Sequence, residues 1–456
     1  MATGRRAVAN EDKKAVTNQE RDSMKESKFN LYFNAPDGAR IAFNSLSCGL
    51  AVVDENYERL LAALSADVIP EDLAEVCEAA KRGNFIVESD KDEVLDYETK
   101  RTAQKFSTQS FGLTLAPTLD CNFRCVYCYE TRRKGKMSDE TQSNIVKLVE
   151  RRASEIKNFE MTWYGGEPLL CMDVISNLSG HFARICEQNH VQYHAFIITN
   201  GYLLTPQIAE DLKRFKISGA QITIDGPKEI HEKRRVNRNE MGSFERILDN
   251  VNMLISKGFE VVIRVNVDKS NERDVSELLE VLGRRLMSKK VKITFGQVSA
   301  YTEACKGMAS SCFGNEDFAA KLLEYYKILD QHGFGETNKF PYPFAKLSYC
   351  CAEQLNSFVV DPDGMLYKCW NDVGNSGSSV GNVNDPAMDS SNDKCGRWLC
   401  RKLPDRCRNC NILPICAGGC PHVTNVLHKP NACDFIRYNI EETMLECYRR
   451  FSRNMR

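Results

Sequence analysis

The sequence predicts a multidomain α/β protein built around parallel strands, and three observations carry that prediction. The chain has 456 residues, too many for one ordinary domain. Between Phe111 and Val298, short aliphatic runs alternate with amphipathic stretches. The 20 cysteines are unevenly placed, with three inside "CNFRCVYC" at 121–128 and ten between Cys350 and Cys433.

Residues 1–27 are polar and charged without apolar periodicity, so a mobile tail is expected there. From Lys28, "KFNLYFNAPDGARIAFNS" sets two aromatic and aliphatic runs around Pro36-Asp37-Gly38, a hairpin signal. Asp54 is a candidate N-cap for a helix with Tyr57, Leu60, Leu61 and Leu64 on one face. A second helix carries Leu73, Val76, Cys77 and Ala80, and "NFIVES" reads as a returning strand. Together they suggest a winged-helix-like unit over 28–105, whose charged end "SDKDEVLDYETKRTAQK" reads as a linker.

Six strands follow over 110–300: "FGLTLAPT", "EMTWYGG", "HAFIITNG", "AQITIDG", "EVVIRVNVD" and "VKITFGQV", beginning at 111, 160, 194, 220, 260 and 291. Helices such as Ser138–Ser154 and Thr205–Phe215 separate them; in the second, Thr205 is the cap and Pro206 takes the first position. Such repetition implies parallel strands with right-handed crossovers, in an open doubly wound sheet or an incomplete barrel. Either way the site lies beyond the carboxyl ends of the strands. A bridging region, 301–345, holds a helix around Asp317–Gln331. The cysteine-dense segment 346–438 has little apolar material, so bound metal is expected to supply its folding energy. A closing segment, 439–456, contains an amphipathic helix over Asn439–Phe451.

Lys and Arg total 61 against 62 Asp and Glu, which removes any global field that would draw the chain to nucleic acid or an anionic membrane. No apolar run serves as a signal or a membrane span, and a cytoplasmic location is expected. There the cysteines point to metal or redox chemistry, not to disulfides.

Cys121, Cys125 and Cys128 follow the first strand directly, with the spacing C-x3-C-x2-C. A zinc loop with a remote fourth ligand is one reading. A four-iron cluster with three protein ligands is the other, leaving one iron open to a second molecule. The triplet has Tyr127 before its last cysteine, and Gly165-Gly166-Glu167 stands in "TWYGGEP" after the second strand. This combination resembles the signature of radical S-adenosylmethionine (SAM) enzymes. The resemblance implies a partial (β/α)6 barrel, a [4Fe-4S] cluster on Cys121, Cys125 and Cys128, and SAM chelated to the open iron. It places the SAM amino group against the edge formed by Gly165, Gly166 and Glu167, where Glu167 would accept a charge-assisted hydrogen bond. Asn200, Thr223, Asp225 and Arg264 lie at strand ends and are further cofactor-binding candidates, each equally readable as a polar residue that ties down a loop. "HEKRR" at 231 resembles a segment of the same family, but His231, Arg234 and Arg235 read equally as a solvated helix face and receive no ligand role.

The later cysteines resemble the seven-cysteine SPASM extension of radical SAM enzymes, which carries two auxiliary four-iron clusters. By that match Cys407, Cys410, Cys416 and Cys433 hold one cluster, and Cys351, Cys369 and Cys420 hold the other, with Cys350 as alternative or additional ligand. The implied total is three [4Fe-4S] clusters; a pair of zinc ribbons is the competing reading. Cys305, Cys312, Cys395 and Cys400 are left over, the last two as alternative ligands. Cys48, Cys77, Cys171, Cys186 and Cys447 read as core.

The N-terminal unit resembles the peptide-recognition element of peptide-modifying enzymes, which binds a leader peptide as an added strand. The resemblances imply a radical SAM maturase of a ribosomally made precursor peptide, served by a reductant such as flavodoxin or ferredoxin, with no nucleic-acid or membrane partner. Likeness around "KCWNDVGN" favours thioether cross-links from a cysteine sulfur to carbon. Carbon–carbon cross-linking and sulfatase-type formylglycine formation are the enzymatic alternatives. A zinc-bound peptide-binding scaffold is the alternative of another class.

Overall fold

The computed structural model describes residues 23–65, 69–386, 392–429 and 432–454. β1 (Met24–Glu26) is followed by an antiparallel meander of β2 (Asn30–Asn34), β3 (Arg40–Asn44) and β4 (Leu50–Val53). Then come α1 (Glu55–Leu64), α2 (Ala74–Arg82) and β5 (Ile86–Glu88), which returns to pair with β1. Asp54 caps α1 by accepting from the Tyr57 amide at 3.0 Å. Most of the expected tail lies outside the described residues. Its last part is a strand instead, because Met24 is buried in a cluster with Ala42, Tyr57 and Leu60.

The expected linker is helix α3 (Glu93–Lys105), capped by Asp92, and it buries Glu93, Val94, Tyr97, Arg101 and Lys105. Glu93 accepts from Ser27 Oγ at 2.6 Å and from the Lys28 amide at 2.9 Å. Arg101 and Lys105 reach the fully buried Glu353 at 2.6 and 3.8 Å, and Arg401 meets the same oxygen at 3.0 Å. One carboxylate thus faces three cations and joins α3 to the cysteine-rich region. Arg408 pairs with Glu98 at 2.7 Å, Tyr342 Oη donates to the Cys48 carbonyl at 2.7 Å, and Ser45 Oγ donates to the Asn411 carbonyl. The N-terminal unit is therefore mounted on the C-terminal half of the chain.

The central sheet begins with β6 (Ser110–Leu115); a loop bearing the short β7 (Phe123–Cys125) leads to α4 (Asp139–Ala153). The chain continues through β8 (Asn158–Trp163), α5 (Met172–Gln188), β9 (Gln192–Thr199), α6 (Pro206–Arg214) and β10 (Ile217–Thr223). It then forms α7 (Lys228–Arg234), β11 (Arg235–Asn237), α8 (Phe244–Ser256), β12 (Glu260–Val267), α9 (Val275–Arg285) and β13 (Lys292–Gln297). Strands β6, β8, β9, β10, β12 and β13 lie side by side in chain order, each parallel to the next. A doubly wound sheet requires a reversal of strand order. None occurs here, so the winding is that of a barrel wall. Alternation along β6 and β8 buries Phe111 and Phe159, whose rings stack at 5.6 Å, while Phe182 of α5 meets Phe159 edge-on at 5.3 Å. Burying each such ring contributes about 1.5–3 kcal/mol.

After α10 (Asn315–Gln331), the sheet grows again. β14 (Ser357–Val360) adds in parallel to β6, and β15 (Met365–Tyr367) and β16 (Gly381–Asn382) follow antiparallel, making nine strands. Phe358, Val360, Leu366, Trp398 and Leu399 belong to the same apolar cluster as the parallel strands. The expected shortage of core is thus corrected: the cysteine-rich region shares the core of the central sheet. The C-terminal helix, Ile436–Asn454, is kinked at Asn439 and packs Met444 and Cys447 against Leu31 and Phe33 of β2. Among the described residues, no helix is long and apolar enough to cross a membrane.

Candidate functional site

The triplet loop is pinned on three sides at the carboxyl end of β6. β7 pairs antiparallel with β11, placing Cys125 opposite Arg235 and Phe123 opposite Asn237. The Gly165-Gly166 turn after β8 supports the loop from below: the Gly166 amide donates to the Thr118 carbonyl at 3.2 Å and the Glu167 amide to the Asp120 carbonyl at 2.9 Å. Gly165 has φ +111°, and a Cβ there would lie 2.5 Å from the Thr118 oxygen. Arg238 pairs with Asp120 at 2.8 Å.

Cys121, Cys125 and Cys128 line one wall of a cavity of about 470 Å3. Tyr127, Gly165, Gly166, Asn200, Thr223 and Arg264 line it too, so the structure brings most of the sequence candidates together. Arg264 passes over β13 at Gly296, where a Cβ would overlap the guanidinium, and its Nε donates to Asn266 Oδ1 at 3.1 Å. Polar groups from four parallel strands therefore meet the thiols from one side. From the other side, Tyr301, Trp370 and Asn371 close the cavity.

Two candidates point elsewhere. Glu167 is fully buried off the cavity wall, and its carboxylate accepts from Thr199 Oγ1 at 2.7 Å and from the Asn200 and Leu169 amides at 2.8 and 3.1 Å. In this arrangement it ties the β8 turn to the end of β9, and the glycines present the edge to the cavity. Asp225 is also fully buried; it accepts from the Asn266 amide at 2.9 Å and from Tyr127 Oη. It anchors the tyrosine whose ring forms the wall.

Of the two readings open for "HEKRR", the structure excludes the solvated face, because His231, Arg234 and Arg235 are all buried. Arg234 forms a bidentate pair with Asp268 at 3.0 and 2.9 Å, and its guanidinium lies 5.2 Å from the centre of the Tyr127 ring. Arg235 lines the cavity and donates to Tyr127 Oη at 2.7 Å. Sequence reasoning also passed over Glu130, Tyr164, Asn266 and Tyr301 on the cavity wall, and it met Trp370 and Asn371 only within "KCWNDVGN", with no site role. One signal was available for Asn266: it lies two residues after Arg264 on a strand, hence on the same face. Burial pushes the Glu130 carboxyl up to about 7, with the Tyr164 hydroxyl and Arg132 opposing.

The donor set fits a multinuclear metal centre. Burial pushes the thiol of Cys121 up to about 12 and that of Cys128 to about 11, and it raises Cys125 despite the opposing charge of Arg235. Three thiols of this kind become thiolates when a cation holds them.

Two further thiol groups occur. Cys407, Cys410, Cys416 and Cys433 line a separate cavity of about 250 Å3, where Arg437 Nη1 donates to Cys410 Sγ at 3.4 Å. Cys369 is raised well above its ordinary value by burial, then by Asp372, with Cys350 and Cys420 adding to the effect. Cys350 responds in turn to Cys420. Both members of the adjacent pair, Cys350 and Cys351, bear on the buried Lys368 beside them. Cys395 is buried and Cys400 is exposed.

Residues 115–282 match the Radical SAM superfamily model. The chain therefore carries a radical SAM domain, as the triplet and the Gly-Gly-Glu turn implied. A cysteine-type anaerobic sulfatase-maturating enzyme of Clostridium novyi is 24% identical over 339 residues, covering 68% of this chain and 88% of its own. The radical SAM cyclopropyl synthase TigE of Paramaledivibacter caminithermalis is 21% identical over 449 residues, covering 86% and 89%. Among solved structures, native anSMEcpe with bound AdoMet and Cp18Cys peptide aligns with a TM-score of 0.59 at 20% identity, over 76% of this chain and 100% of that one. Streptococcus suis SuiB bound to its precursor peptide SuiA aligns with a TM-score of 0.54 at 14% identity, over 90% and 98%. The fold is shared with both.

Proposed function

We propose that the chain is a radical SAM maturase of a ribosomally made peptide, carrying two auxiliary clusters and joining a cysteine sulfur to a carbon of another residue. The observation that carries this reading is the single cavity formed by Cys121, Cys125 and Cys128, the Gly165-Gly166 turn, and Trp370-Asn371 from the cysteine-rich region. When bound there, SAM and its cluster supply a 5′-deoxyadenosyl radical that takes hydrogen from an unactivated carbon. The residues of the chain hold and shield. Cys121, Cys125 and Cys128 hold the cluster, with Arg235 offsetting the charge of the Cys125 thiolate. Gly165 and Gly166 allow close approach of the SAM amino group, and Arg264 suits its carboxylate. Tyr164 and Trp370, with ring centres 4.7 Å apart, shield the cavity from water.

The extent of the likenesses supports a peptide substrate. TigE and SuiB align with 86% and 90% of this chain, against 68% and 76% for the sulfatase-maturating enzyme of C. novyi and anSMEcpe. The longer match favours reading residues 24–105 as a leader-binding unit, with the three-stranded meander offering an edge for an added strand. Thioether formation removes two hydrogens, one from the carbon and one from the thiol.

The test is anaerobic reaction of reconstituted enzyme with SAM, a reductant and a cysteine-rich peptide encoded beside the gene, read by mass spectrometry. A product lighter by two hydrogens, with a thiol that no longer alkylates, supports the thioether. Two hydrogens lost with the thiol still free indicates a carbon–carbon link, and an aldehyde in place of cysteine indicates formylglycine. Colourless protein with stoichiometric zinc indicates a binding scaffold.

A further inference from the structure

Directly behind the Trp370-Asn371 wall, Cys369, Asp372 and His422 bring a thiol, a carboxylate oxygen and a ring nitrogen within 4.8 Å of one another. His422 is 2% exposed. One of its nitrogens, Nε2, lies 3.4 Å from Asp372 Oδ1, and the other, Nδ1, has no hydrogen-bond partner among the described residues. Leaving such a buried nitrogen unsatisfied is unfavourable. The ring is also packed against Tyr301, tilted at 38° with 5.6 Å between centroids. A buried imidazole with one nitrogen near a carboxylate, the other unpartnered, and a thiol within 4.8 Å of the ring nitrogen that faces it has the donor set of a metal-binding histidine.

We propose that His422 is a ligand of the auxiliary centre built on Cys369, Cys420 and one cysteine of the adjacent pair Cys350-Cys351, with Nδ1 on iron and Nε2 hydrogen-bonded to Asp372. This rests on the reading above that the cysteine-rich region holds iron–sulfur clusters. It completes a three-cysteine set with a fourth group from within the chain. Two consequences follow. The centre has no open iron for a substrate thiolate, so its part is electron relay next to the reaction cavity. Imidazole in place of thiolate also raises the reduction potential, which makes the centre a better electron acceptor.

The test uses the full chain with Cys121, Cys125 and Cys128 changed to Ala, so that only auxiliary centres report. It is labelled with 15N-histidine, reconstituted anaerobically and reduced. Pulsed electron paramagnetic resonance is expected to detect a strongly coupled histidine nitrogen, with about eight irons per chain. In His422→Cys, which supplies a thiolate at the same place, the iron count is expected to hold, the nitrogen coupling to vanish and the potential to fall. Eight irons without histidine coupling, or coupling that persists in His422→Cys, overturns the ligand assignment and leaves the cluster reading standing. Little iron in both proteins overturns the cluster reading, and the ligand assignment with it.

Discussion

A Cβ on Gly166 would overlap the carbonyl oxygen of Asp120, the residue before the first cysteine of the triplet. The turn after β8 and the loop after β6 are therefore packed backbone to backbone. Gly166→Ala must push the cysteine loop outward, at a cost of about 1–3 kcal/mol. We expect 5′-deoxyadenosine formation to fall about tenfold or more, because displacing the cysteine loop misplaces the reacting groups it holds. Gly180→Ala is the control. It lies in α5 with nothing within 4 Å of a new Cβ, and is expected to stabilise the helix by about 0.5–1 kcal/mol.

Cys125→Ala is expected to abolish SAM cleavage and lower iron from about twelve to about eight per chain. Anaerobic iron and sulfide analysis, with chromatography of 5′-deoxyadenosine, checks both. Unchanged cleavage would remove the triplet from the catalytic role.

Asp268→Asn tests the anchor behind Tyr127. Burial raises the Asp268 carboxyl, but its hydrogen bonds and charge pairing with Arg234 outweigh burial and hold it below the ordinary carboxylate value. A group depressed in the folded state contributes stability above its unfolded value, near 3.9, and loses it as pH falls through the lower folded value. Leaving Arg234 buried and unpaired is expected to cost about 3–5 kcal/mol at pH 7. The gap in melting temperature between the two proteins should narrow as pH falls below about 4, where the unfolded carboxyl takes up a proton that the native one still excludes, and level off once the native carboxyl is protonated too.

Glu353→Ala leaves Arg101, Lys105 and Arg401 facing one another without their carboxylate. A loss of about 3–5 kcal/mol is expected, read by denaturant titration. Limited proteolysis should then cut both α3 and the 401–408 segment, since the same carboxylate holds the two together.

Helix starts and parallel strands were legible because their signals are local. Thr205 followed by Pro206 starts α6 where the cap and first-turn rules place it. The helix over 93–105 was not legible, since its buried face carries Glu93, Arg101 and Lys105, and charged residues read as solvent-facing unless their partners are known. Glu353 is 252 residues from Arg101. Arg234 was left between two readings for the same reason, with Asp268 34 residues ahead. In the site, cysteine spacing marked the triplet, but the wall formed by Trp370 and Asn371 depends on β14 joining β6, a pairing across about 245 residues. His422 gave no pattern in the sequence, because a single histidine acquires meaning only beside Asp372 and Cys369.

The mounting of the N-terminal unit on the last third of the chain has a consequence for how the molecule is assembled. Ser45 meets Asn411 across 366 positions, Glu98 meets Arg408 across 310, and Asp37 meets Tyr448 across 411. Contacts this distant form only after most of the polypeptide has been made, and they make folding slow. The unit is consequently not portable: cut out and grafted onto another enzyme, it would present to water the surfaces that Asn411, Arg408 and Tyr448 cover here.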